Sequence, residues 1–231
     1  MPTAPPPTTE LEVQVWRIEL GPDGGRPAAR AALGRILADA LGEPEPPSLA
    51  ADENGKPRLA VDPGRLAFNL SHSGELALVA LAPGGIDVGV DVERIKERRQ
   101  LARLAARWLP EADALAVAAA APAEQASVFY PAWTRHEARV KCTGAGLAGE
   151  PPGPEVSAVQ VEIDAGYAAA LALGAGYGRG LPPVIWTNAR QAGFGMKWVE
   201  LPLKKPTESQ NAHDSGRSFQ ENQSTCLRSN R

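Results

Sequence analysis

The stretch from Gly85 to Ile95, GIDVGVDVERI, limits this chain more than any other, because it puts three carboxylates into what otherwise reads as a valine-rich strand. In a strand, successive side chains point to opposite faces. Ile86, Val88, Val90 and Val92 therefore share one apolar face, and Asp87, Gly89, Asp91 and Glu93 share the other. One face is core and the other carries clustered negative charge. Two unit charges about 4 Å apart repel by roughly 4 kcal/mol at an effective dielectric near 20, so Asp91 and Glu93 need a cation if they converge away from water. Arg94 faces the other way and is poorly placed to supply it. A solvated strand edge explains the same pattern with no ligand, so this stretch alone leaves a metal site and a bare edge both open.

The 231 residues and a hydrophobic content of 43% allow one ordinary domain, or two small fused ones, with a real core. No apolar run approaches a membrane span; the longest are LALVALA, from Leu76 to Ala82, and the alanine-rich Ala114 to Ala121. The first ten residues, MPTAPPPTTE, lack the basic residues and apolar core of a signal peptide and read as a disordered lead-in. These features point to a soluble, cytoplasmic protein with no membrane partner. Cys142 and Cys226 are far apart, the second in a polar tail, and indicate neither a disulfide framework nor a cysteine metal site. A net charge of −3 argues against a general nucleic-acid binder, so an anionic ligand must be met by a local basic patch.

Leu11 to Leu20 alternates as a half-buried strand should, and GPDGG breaks it. From Ala28 to Leu41 the apolar positions Leu33, Ile36, Leu37 and Leu41 recur at helical spacing. Arg26, Arg30 and Arg35 lie on or beside the polar flank, and Gly42 is the stop. ENGKPRLA is a turn leading into a short strand, and LAFNLSHSGELALVALA reads as strand, polar turn from Ser71 to Gly74, strand. Leu101 to Leu109 and Glu111 to Ala121 read as helices, and a further helix runs through YPAWTRHEARVKCTG, ended by Gly144 and Gly146. Val156 to Ile163, GYAAALAL and VIWTNA read as strands. The pattern is mixed α and β, with no internal repeat in the letters themselves. From about Leu203 the chain has almost no apolar residues and reads as a disordered tail.

In the helix holding WTRHEARVK, Trp133, Glu137 and Lys141 are four apart and lie along one face. By itself that is the pattern of a surface Glu-to-Lys pair. Beside an Asp-x-Glu strand it acquires another reading, since three carboxylates suit Mg²⁺ and a nearby lysine suits a phosphate bound to that metal. Together GVDVERI, WTRHEARVKCTGAGL, GKPRL and FNLSHSGELALVAL closely resemble the surfactin-synthetase-activating (Sfp) type of 4′-phosphopantetheinyl transferase, from about Gly55 to Leu147.

The resemblance implies transfer of the phosphopantetheine arm of coenzyme A onto a serine of an apo acyl or peptidyl carrier protein, with release of 3′,5′-adenosine diphosphate. Carried over position by position, it makes Asp91, Glu93 and Glu137 the ligands of Mg²⁺. Lys141 would contact the diphosphate, Ser71 and His72 would meet coenzyme A phosphate, His72 at the 3′-phosphate, and Gly55, Lys56 and Pro57 would line the adenine side. Glu137 is then the candidate base for the attacking serine, with Mg²⁺ and Lys141 supplying positive charge. Asp87 has no role in the pattern and is left as a solvated neighbour, while Gly89 would let backbone or ligand approach the acidic face closely. The implied fold is an α/β (α+β) pair of similar halves related by a pseudo-twofold axis, meeting near residues 88–100. Residues 11–88 form the first half, 89–202 the second with the metal site, and 203–231 the tail. The protein is expected to be a monomer.

The sequence departs from the family pattern in two places. GPDGG shortens a stretch that is usually longer and basic, and Arg26 and Arg30 are candidates to replace the missing phosphate contacts. The usual Lys-Glu-Ala is His136-Glu137-Ala138, which keeps the acid, because His136 lies about 100° round the helix. Two other readings compete: a weakened homologue that binds coenzyme A or a carrier protein without transfer, and a Mg²⁺-dependent phosphohydrolase, which leaves SHSG and GKP without a purpose.

Overall fold

A computed structural model describes residues 13–146, 152–174 and 184–190. The expected lead-in and polar tail, and Cys226, lie outside the described residues. Strand β1 (Val13–Glu19) is followed by helix α1 (Gly25–Leu41), the short strands β2 (Leu49–Ala51) and β3 (Pro57–Leu59), and the hairpin of β4 (Leu66–Ser73) and β5 (Leu76–Pro83). Helix α1 ends as its sequence requires, at Gly42 with φ 69°, whose N–H returns to the last turn. β5 pairs antiparallel with both β4 and β1, and β9 (Val184–Arg190) adds in parallel beyond β1.

The unbroken apolar run of β5 follows from its place. Ala77, Val79 and Leu81 pack with Leu33, Ile36 and Leu37 of α1, while Leu78, Ala80 and Ala82 turn to the opposite core. A strand covered on both faces has no need of polar alternation.

The remaining elements form a second sheet. β6 (Val88–Arg94) leads through α2 (Leu101–Trp108) and α3 (Glu111–Ala119) to α4 (Gln125–Thr143), then to β7 (Ser157–Val161) and β8 (Tyr167–Leu173), in the order β6-β8-β7. The two sheets repeat one topology: a strand, one or more helices, then an antiparallel hairpin whose second strand pairs with the first strand. This repeat, absent from the letters, is carried by backbone order alone. The fold is mixed α/β, as expected. Among the described residues, no helix is long and apolar enough to cross a membrane.

Between the sheets lies a shared core. Val13, Val15, Leu78 and Ala80 of the first meet Val88, Val90, Val92, Leu171 and Leu173 of the second. The valine face of β6 is thus buried, as its alternation indicates, and its other face meets α4. Contact there is made possible by Gly89: a Cβ at this position would stand 2.0 Å from the carbonyl oxygen of Ala138 and 2.4 Å from the amide of Cys142. It is therefore backbone, the helix α4, that approaches the acidic face at Gly89.

Candidate active site

β4 and β6 are neighbouring edge strands of different sheets, and no main-chain ladder joins them. Side chains of β4 do so instead. Asn69 Oδ1, Ser71 Oγ and Ser73 Oγ accept the amides of Val90 at 2.9 Å, Val92 at 3.3 Å and Arg94 at 3.1 Å, each 21 residues on. The edge amides of β6 are thereby satisfied. The two hydroxyls also serve the acids: Ser71 donates to Asp91 Oδ1 at 2.8 Å, and Ser73 donates to Glu93 Oε2 at 2.9 Å.

These bonds correct one expectation and bear on another. SHSG is not a turn; Ser71 to Ser73 complete β4, and the reversal is made by Gly74, at φ 58°, with Glu75. Strand alternation therefore sends Ser71 and Ser73 toward β6 and His72 to the other face. Ser71 was also expected to meet phosphate. Its single proton goes to Asp91, while Lys141 Nζ at 2.9 Å and the Val92 amide donate to it, so it holds no free donor. It links Asp91 to Lys141.

Across from β6, α4 presents Glu137 and Lys141. Trp133, one turn before Glu137, stacks on Phe129 with centroids 5.5 Å apart and anchors this face in the cluster with α2 and α3. Lys141 Nζ reaches Asp91 Oδ1 at 2.5 Å. Asp91 is 2% exposed, and its other oxygen, Oδ2, is buried with no hydrogen-bond partner. Burial, then repulsion from Asp91, lifts the Glu137 carboxyl to about 7, with Glu93 adding to the effect and Lys141 opposing it. Burial and Asp91 likewise raise Glu93, while its bond from Ser73 works the other way. The three acids thus sense one another and one lysine.

Among the described residues no three acidic, histidine or cysteine side chains already stand at distances that would hold a metal ion. The donor set nevertheless fits a hard divalent cation: all its atoms are carboxylate oxygens, the acids repel one another, and a buried oxygen of Asp91 lacks a partner.

The basic residues divide. His72 is exposed at the end of β4, and burial, followed by the positive charges of Arg26 and Lys141, depresses its pKa. Arg26 and Lys141 therefore make the surroundings of His72, near the start of α1, electropositive. Arg30 is exposed one turn further along the helix, on the same side as Arg26. Lys56 is buried and donates to the carbonyls of Cys142 at 2.7 Å and Val88 at 3.1 Å. It thus ties the turn with Gly55, at φ 82°, to the C-terminus of α4 and the start of β6. Its burial lowers its pKa. Pro57 opens β3 and is exposed. Asp87 is half exposed and pairs with Arg58 at 3.4 Å. Cys142 is a free, buried thiol whose burial pushes its pKa up to about 12.

Sequence reasoning missed Asn69 and Ser73. The signal was present as polar residues at every second position, 69, 71 and 73, in a strand whose other residues are apolar apart from His72.

Residues 87–177, which include β6, α4 and all three carboxylates, match the family model of the 4′-phosphopantetheinyl transferase superfamily. Among curated proteins the chain is similar to the 4′-phosphopantetheinyl transferase AcpT of Salmonella typhimurium. The two are 35% identical over 127 residues, covering 55% of this chain and 64% of that protein. It is also similar to the 4′-phosphopantetheinyl transferase HetI of Nostoc, 34% identical over 125 residues and 52% of each chain. A putative 4′-phosphopantetheinyl transferase of Synechocystis is 32% identical over 126 residues, 54% of this chain and 49% of that one. The matched part spans 49% to 64% of the length of these relatives.

Proposed function

We propose that this protein transfers the 4′-phosphopantetheine arm of coenzyme A to a serine of an apo acyl or peptidyl carrier protein, releasing 3′,5′-adenosine diphosphate. The observation that carries the reading is the pairing of an acid strand with an acid-and-lysine helix: Asp91 and Glu93 on β6 face Glu137 and Lys141 on α4. The doubled strand-helix-hairpin topology within one chain supports the Sfp type, with residues 11–88 and 89–202 as its halves.

Asp91, Glu93 and Glu137 would hold Mg²⁺, which when bound supplies charge neutralisation for the diphosphate oxygens. Lys141 binds the diphosphate from the α4 side, and Ser71 keeps its ammonium beside Asp91. His72, with Arg26 and Arg30 near the start of α1, receives the 3′-phosphate, while Gly55, Lys56 and Pro57 border the adenine. Lys56 does so with its backbone and stem, because its ammonium is held by two carbonyls. Glu137 accepts the proton of the attacking serine, directly or through water, as the oxygen forms its bond to the β-phosphorus and the bond to the leaving nucleotide breaks. The reading includes a cytoplasmic monomer; light scattering after size-exclusion chromatography tests the second point. Incubation with coenzyme A, Mg²⁺ and an apo-carrier protein, followed by intact mass, tests the transfer. The carrier should gain one phosphopantetheine; a carrier of unchanged mass beside intact coenzyme A overturns the proposal.

A further inference from the structure

We propose that Ser73 is a positioning residue for the cation-binding carboxylates: its hydroxyl selects which oxygen of Glu93 remains free to bind. The inference rests on the metal set assigned above and adds a role for a residue outside it. Ser73 Oγ has one proton, and that proton goes to Glu93 Oε2 at 2.9 Å. Ser73 Oγ itself accepts the Arg94 amide at 3.1 Å, which locks the hydroxyl between a fixed backbone donor and one carboxylate oxygen. Glu93 Oε1 is left as the oxygen able to meet a cation. Ser71 does the same for Asp91, occupying Oδ1 and leaving Oδ2 as the buried oxygen without a partner. The two serines are spaced two apart on β4 and the two acids two apart on β6, so each hydroxyl meets its own acid in the same register. The contacts that join the sheets therefore also orient the carboxylates.

Asn69 provides the internal control. It makes the same kind of bond to β6, its Oδ1 accepting the Val90 amide at 2.9 Å, and makes no hydrogen bond to an acid. A purely architectural ladder would make Asn69 and Ser73 equivalent; a positioning role separates them.

The experiment is a calorimetric titration of Mn²⁺ into the full-length protein with coenzyme A present, for wild type, Ser73→Ala, Ser73→Thr and Asn69→Ser, together with thermal melts. Loss of an outer contact to a metal ligand weakens metal binding about tenfold or more, and Ser73→Ala is expected to do so with kcat at saturating metal changed less than the metal requirement. Ser73→Thr keeps the hydroxyl and should restore affinity. Asn69→Ser should lower the melting temperature and leave the Mn²⁺ affinity at the wild-type value. Unchanged affinity in Ser73→Ala overturns the proposal, as does equal weakening in the Asn69 variant. A wild type that binds no Mn²⁺ defeats the metal assignment itself, and with it this inference, so the two failures are told apart.

Discussion

Glu137 and Lys141 sit one turn apart and carry opposite demands. Burial and the neighbouring Asp91 lift Glu137 from 4.5 to about 7. Between those values the folded protein holds a proton that the unfolded chain has released, so stability falls as pH rises through that window and is regained as pH falls. In chelator, the melting temperature is expected to rise as pH is lowered from about 7.5 to about 5.5, and Glu137→Gln should flatten that slope. An unchanged slope in the variant would assign the effect elsewhere. If Glu137 is also the base, the same substitution should reduce turnover by about a hundredfold. Lys141→Ala removes the partner of a buried aspartate as well as a phosphate contact, so it should lower the melting temperature in addition to raising the coenzyme A requirement by roughly tenfold to a hundredfold. His72→Ala is simpler, since His72 is exposed. It should raise the coenzyme A requirement by about tenfold with little change in melting temperature, the loss of one charge-assisted contact. Dephospho-coenzyme A should lose against coenzyme A in wild type and nearly match it in the His72 variant. Full discrimination by that variant would move the 3′-phosphate away from β4.

Helix α4 reaches β6 only because Gly89 has no side chain. Gly89→Ala would drive a methyl into the backbone of Ala138 and Cys142, which cannot retreat as a flexible side chain can. The helix would be pushed off the strand, at a cost of about 1–3 kcal/mol or more for overpacking. A clear drop in melting temperature and weaker Mn²⁺ binding are expected together; a variant with neither would show that α4 tolerates displacement. Much of this arrangement was legible beforehand. The alternation of β6 placed its valines and acids on the right faces, and the four-residue spacing of Trp133, Glu137 and Lys141 placed them together on α4. What escaped was the relation between elements. Glycine and proline cues located the reversal after β4 only to within a few residues, so Ser71 and Ser73 were assigned to a turn. Nothing in a single strand shows that its polar face will meet the free edge of another sheet. The partner of Lys56 was hidden for the same reason, because the carbonyls of Val88 and Cys142 become its acceptors only once β6 and α4 have docked.

The two sheets share the core that each would need alone. Leu78 and Ala80 of β5 contribute to the same cluster as Val90, Val92 and Leu171 of the other sheet, and the amides of Val90, Val92 and Arg94 on β6 donate to side chains of β4. Separating the halves would expose that cluster and unpair those amides at once, so the described residues should unfold as one cooperative unit despite their doubled topology. Leu78 is fully buried, and Leu78→Ala is expected to cost about 2–5 kcal/mol through lost transfer energy and the cavity left behind. Hydrogen exchange followed by mass spectrometry reads where that loss is felt. If the halves are one unit, amides of β8, on the other side of the shared core, should lose as much protection as those of β5, the strand carrying the substitution. Protection that falls in β1 and β5 while β6 and β8 keep theirs would show two units that merely touch. In that case the carboxylates of β6 and the electropositive surroundings of His72 would be joined by a hinge rather than by a single core.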